Sequence, residues 1–187
     1  MANPGFRRVS EEELLQAWLY RVDRFHLIDP EGHPFDRFVI RHPGAVAVVP
    51  LHDDSTVTLV RQYRAAVDDM VLEIVAGTRD KDDEPEEVTA RRELVEEAGL
   101  EATHWERLIG IWNTPGISDQ LTSIFLATGL TEIESRPDGV EEGYMTVERV
   151  ALTDLDRLVA EGTLKDETSV LGLLLVRERL RASGRLP

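Results

Sequence analysis

The chain has 187 residues, 42% of them hydrophobic and 30% charged, which suits an ordinary globular domain large enough to bury its own core. Its 36 acidic residues outweigh 21 basic ones, for a net charge of −15, and such a surface repels phosphate backbones and argues against a nucleic-acid partner. With no cysteine, disulfides and thiolate metal sites are excluded.

No apolar run reaches the length of a membrane helix, and the opening residues MANPGFRRVSEEELL hold no apolar signal core, so the expected compartment is the cytoplasm without membrane attachment. Residues 18–28 and 36–41 alternate as strands do around the turn signal DPEGHP. They predict an N-terminal β-hairpin extension over residues 1–42, whose unpartnered apolar strand faces point to a homodimer. GAVAVVPL (44–51) reads as a buried strand, VTLVRQYR (57–64) as a second after the turn DDST, and VLEIV (71–75) as a third leading into Gly77. Strands are also expected at 105–112, 121–128 and 145–152, and helices near 153–160 and over 167–182. Residues 43–187 therefore read as one α+β domain, helices sandwiching a mixed sheet.

The stretch GTRDKDDEPEEVTARRELVEEAGL (77–100) carries the chemistry. Residues 85–98 predict a helix, with Pro85 at its first position and Gly99 ending it. On that helix Val88, Val95 and Ala98 share one face with Leu94 on its border, and Glu93, Glu96 and Glu97 take the opposite side. Two carboxylates about 5.5 Å apart repel by ~0.8 kcal/mol in water and by roughly 3 kcal/mol at the effective dielectric of a cleft. A solvated acidic face normally interleaves lysines, and Glu93 and Glu97 have no basic residue at a favourable spacing. A divalent cation removes the repulsion, and an all-oxygen ligand set selects Mg²⁺, with Mn²⁺ as the alternative. The five histidines are scattered without metal-ligand spacing and read as structural.

The same segment resembles the signature of the Nudix hydrolases: a glycine, an acidic loop, Glu84, then Arg92-Glu93-Leu94, Glu96-Glu97 and Gly99-Leu100. Six residues separate Gly77 from Glu84, one more than is usual in that family. LVRQYRAAV, LEIVAG, NTPGISD (113–119) and the acidic DGVEEGYM (138–145) are similar to its ADP-ribose pyrophosphatase branch, although Val75 replaces a usual proline and Gln120 a frequent glutamate.

The resemblance implies a Nudix-type α/β/α sandwich and Mg²⁺-dependent hydrolysis of ADP-ribose to AMP and ribose 5-phosphate. It makes Glu93 and Glu97 metal ligands, Glu96 a ligand or near neighbour, and the Ala76 carbonyl a further donor. Arg92 with Glu84 becomes an orienting ion pair, and Gly77 lies where the loop meets substrate and metal. Glu141 or Glu142 is the expected general base. Arg64, with Arg61 as runner-up, is expected on the substrate phosphates, because a guanidinium matches phosphate geometry. Thr114, Pro115 and Gly116 are expected to shape the nucleotide pocket, and Phe25 or Tyr20 to stack on adenine. Alternatives are the same chemistry on NADH, GDP-mannose or another nucleotide sugar, and a non-catalytic nucleotide sensor. Retention of all three glutamates, in a chain too short for a second domain, argues against the sensor.

Overall fold

The computed structural model describes residues 3–81, 83–134 and 142–186, with Glu142 described in its backbone alone. The chain divides into two compact units, one of residues up to Gly44 together with Trp112–Leu121, the other of Ala45–Ile111 and the residues from Thr122 onward.

In the first unit β1 (Arg7–Ala17), β2 (Tyr20–Ile28) and β3 (Pro34–Arg41) form an antiparallel sheet in the order β1-β2-β3. A hairpin was expected; β1 makes it three-stranded. Strand β1 is exposed along its whole length, and its run of glutamates followed by two leucines carries no strand-like alternation. The loop 112–121 joins this unit through β3: the Ile40 amide donates to the Ile117 carbonyl at 2.8 Å, and Arg41 pairs with Asp119 at 2.6 Å.

The second unit holds β4 (Ala45–Pro50), β5 (Thr56–Arg64), β6 (Asp69–Glu73), β7 (Val75–Thr78), α1 (Glu86–Ala98), β8 (Leu100–Trp112), β9 (Leu121–Glu132), β10 (Thr146–Ala151), α2 (Leu155–Ala160) and α3 (Glu167–Ala182), although the junction of β8 and β9 lies with the first unit. One sheet runs β7-β4-β9-β8, with β4 antiparallel to β7 and parallel to β9, and is therefore mixed. Strands β10-β5-β6 make a separate antiparallel sheet.

The alternation of β4 explains the layering. Val46 and Val48 pack with Val60, Val75, Ala90, Leu94 and Phe125 on the α1 side. Ala47 and Val49 pack with Leu59, Leu72, Ile74, Leu173 and Val176 on the side of α2 and α3. Both faces of the strand are apolar because both are covered. Each fully buried valine or leucine contributes roughly 1.5–3 kcal/mol. Helix α3 approaches closely at Gly172, where an added Cβ would lie 3.1–3.3 Å from Val49, Ile124 and Ile74. Its N-cap Asp166 accepts the Ser169 amide at 2.7 Å, and Ser169 Oγ in turn accepts the Ile74 amide at 2.8 Å, which ties α3 to the β6–β7 junction.

Helix α1 departs from the expected orientation. Pro85 is its N-cap rather than its first helical residue, while Gly99 ends it as expected, in the left-handed conformation at φ 61°. Its buried residues are Thr89, Ala90, Glu93, Leu94 and Glu97, and Val88 is 47% exposed. The expected apolar back and carboxylate front are corrected here: Glu93 and Glu97 lie on the buried face with Ala90 and Leu94, one turn apart.

Candidate active site

Strand β7 and helix α1 build the site. Glu93 and Glu97 are 7% and 5% exposed, and carboxylates are almost never this buried without a partner. Glu97 Oε2 accepts the Ala76 amide at 3.1 Å. Glu93 lies over Gly77 so closely that a Cβ there would fall 2.1 Å from its Cδ. The glycine is required by this close approach, because its backbone is not in the left-handed region.

The positive group between the acids is Arg92. Its guanidinium meets Glu93 at 2.8 Å, Glu96 at 2.9 Å and Asp80 at 3.2 Å. Partial burial works against its charge, but Glu93, Glu96 and Asp80 outweigh that and raise its pKa above the ordinary arginine value. The expected pair with Glu84 is present as the longest of these contacts, at 4.0 Å, and Glu84 also accepts from the Thr89 hydroxyl at 2.8 Å. Arg92 thus braces the glutamates from one side, and its own buried Nε has no hydrogen-bond partner among the described residues. The donor set around Gly77 consists of carboxylates, with neither thiolate nor imidazole among the described residues, and the missing Cβ lets Glu93 approach the backbone there. It fits a hard divalent cation.

Alternation along β5 separates the two candidate arginines. Val60 packs on the α1 side of the sheet and Leu59 on the other, so Gln62 and Arg64 follow Val60, and Arg61 follows Leu59. Arg61 pairs with Glu148 of β10 at 2.6 Å. Arg64 pairs with Glu73 of β6, its Nε lying 3.0 and 3.1 Å from the two carboxylate oxygens. Burial works against the charge of Arg64, yet Glu73, with Glu97 and Asp166 adding to the field, raises its pKa. Sequence reasoning missed Glu73 and Gln62, which are 7% and 4% exposed; the available signal was a glutamate inside the apolar run VLEIV.

The remaining candidates belong to the first unit or fall on residues 141–142. Thr114, Pro115, Gly116 and Phe25 belong to the first unit. The Thr114 carbonyl accepts the amides of Ile117 and Ser118 at 2.9 Å, and Phe25 is flanked by the guanidinium groups of Arg8 at 4.5 Å and Arg41 at 5.7 Å. Tyr20 stacks against His42 at 5.0 Å. Glu141 lies outside the described residues, as does the side chain of Glu142. Asp29, Glu31 and His33 also sit close enough to share an ion; they form the β2–β3 turn, where Asp29 accepts the His33 amide at 2.8 Å and its pKa is lowered chiefly by that bond.

A family profile for the NUDIX domain matches residues 41–166. The chain belongs to the Nudix family. It is 35% identical over 177 residues to an ADP-ribose pyrophosphatase of Mycobacterium tuberculosis, spanning 94% of this chain and 85% of that one. It is 33% identical over 155 residues to an ADP-ribose pyrophosphatase of Bacillus subtilis, spanning 82% and 83%. A solved structure titled as an ADP compounds hydrolase superposes with a TM-score of 0.86 at 25% identity, covering 97% of both chains. The chain is a Nudix-type hydrolase of the ADP-ribose pyrophosphatase branch, with the sandwich fold expected of it.

Leu94 and Leu100 are core residues, 0% and 4% exposed, and Gly99 supplies the left-handed cap. Arg92 supplies the brace for Glu93 and Glu96. No helix among the described residues is long and apolar enough to cross a membrane.

Proposed function

We propose that this Nudix hydrolase cleaves the diphosphate bond of ADP-ribose, giving AMP and ribose 5-phosphate, with Mg²⁺ as its ion and Mn²⁺ able to replace it. The reading rests above all on the buried Glu93–Glu97 face of α1 laid against Gly77, and the names of its relatives support the substrate.

On this reading Glu93, Glu97 and the Ala76 carbonyl hold the ion, and Glu96 is a ligand or near neighbour. A bound divalent cation neutralises diphosphate charge and makes a water easier to ionise. The protein's own part is placement. Arg92 orients Glu93 and Glu96, and Arg64, on the same face of the sheet as α1, offers the end of its guanidinium to the diphosphate. Removal of a proton from the attacking water falls to Glu141 or Glu142, since carboxylates that hold a cation are poor bases. Thr114, Pro115 and Gly116 shape the nucleotide pocket, and Phe25 stacks on adenine.

Incubating the protein with ADP-ribose and Mg²⁺ should yield AMP, and Glu97→Gln should abolish it while leaving the melting temperature unchanged. Absence of AMP would remove the proposal, and a higher kcat/KM on GDP-mannose or NADH would reassign the substrate. The chain is further proposed to act as a cytoplasmic homodimer through its first unit, whose exposed β1 displays Val9 at 61% and Leu15 at 56%. Sedimentation should then give twice the chain mass of 21.1 kDa; an active monomer would contradict this.

A further inference from the structure

The sheet face beneath α1 carries a charged group that none of the roles above employs. Glu73 closes β6 within the apolar stretch Val71–Val75 and is 7% exposed. A carboxylate so buried persists only with charged or hydrogen-bonding partners, and Glu73 has two. Arg64 Nε reaches both its oxygens, Arg64 Nη2 also reaches one of them, and the amide of Gln62, itself 4% exposed, donates at 3.3 Å. One whole edge of the guanidinium is therefore occupied. The opposite end, Nη1, has no hydrogen-bond partner among the described residues.

We propose that Glu73 is a positioning residue, which grips the Nε–Nη2 edge of Arg64 and so fixes the plane in which Nη1 is presented to the substrate diphosphate. This rests on the reading of Arg64 as the phosphate-binding arginine. A free arginine samples many rotamers, and holding one edge of its rigid fork removes most of that freedom before substrate arrives. Gln62 completes the arrangement by donating to Glu73, which keeps the carboxylate in place when Arg64 also bonds a phosphate. The Arg61–Glu148 pair serves as the contrast. It lies on the other face of the strand, and the two side chains are 29% and 38% exposed, so neither is a buried anchor.

A double-mutant cycle on kcat/KM for ADP-ribose, with melting temperatures for every variant, tests this. Arg64→Ala should lower kcat/KM on the order of 10³-fold, and Glu73→Gln about 30-fold. If Glu73 acts through Arg64, adding Glu73→Gln to Arg64→Ala should change the rate by less than about 3-fold, because the two share one interaction. Glu73→Asp should retain part of the activity, and it replaces Glu73→Gln in the cycle should that variant not fold. Glu148→Gln should leave the kinetics unchanged. An equal loss from Glu73→Gln in both backgrounds would make Glu73 a purely structural residue and overturn the proposal. Full activity of Arg64→Ala would instead remove the reading of Arg64 on which it stands.

Discussion

Gly77→Ala separates the function of the site from the stability of the fold. The added Cβ would stand 2.1 Å from Glu93 Cδ, 2.2 Å from Oε1 and 2.5 Å from Cγ. Carbon atoms rest about 3.5–4.0 Å apart, so the Glu93 carboxylate must retreat by about 1.4 Å. A displacement of about 1 Å in a positioned group costs on the order of 10²-fold in rate, or about 2.7 kcal/mol of barrier. The fold should survive, because the atoms struck belong to one side chain, although displacing a buried carboxylate paired with Arg92 costs about 1–3 kcal/mol. Gly77 does not have positive φ, so alanine fits its backbone and by itself adds about 0.4–1 kcal/mol of stability. Steady-state kinetics at saturating Mg²⁺ beside a thermal melt should show kcat down about 100-fold and a melting temperature lowered by no more than a few degrees. A folded variant with wild-type kcat would refute the claim that Glu93 must occupy this position.

Leu94→Ala should cost about 2–5 kcal/mol in urea denaturation, because Leu94 is 0% exposed. Val88→Lys should change stability by no more than about 0.5 kcal/mol, since Val88 faces solvent; a large loss there would restore the apolar-back orientation of α1. Asp54 gives a pH signature. Hydrogen bonds from the Thr56 hydroxyl and amide, with help from Arg149, lower its pKa from 3.8 to about 2. A carboxyl depressed in the folded state stabilises fully above its unfolded value and loses that contribution as pH falls through its folded one. The melting-temperature gap between wild type and Asp54→Asn should therefore shrink as pH falls from 3.8 to about 2; a constant gap would contradict the assignment.

What the sequence revealed and what it hid have physical reasons. Helix α3 was expected at its observed bounds, since its apolar period is unbroken and Asp166 caps it. The end of α1 was legible because Gly99 alone could adopt the left-handed cap cheaply. The orientation of α1 was not, because the rule that the apolar side faces inward assumes that burial follows hydrophobicity. Here Gly77 opens a space that lets Glu93 take an inner position, the Ala76 amide donates to Glu97 beside it, and Val88 faces solvent. The choice between Arg61 and Arg64 needed the facing of β5, which three-residue spacing cannot reveal alone. Strand β1 was missed because its polar, leucine-paired run lacks alternation and is exposed throughout.

The central claim is that the inner face of α1 holds a divalent cation. Titrating the metal-free protein with Mn²⁺ while following the electron paramagnetic resonance signal of the free ion tests it directly. Wild type should remove Mn²⁺ from solution, and a folded Glu93→Gln, Glu97→Gln double variant should not. Identical binding curves for the two proteins would contradict the account.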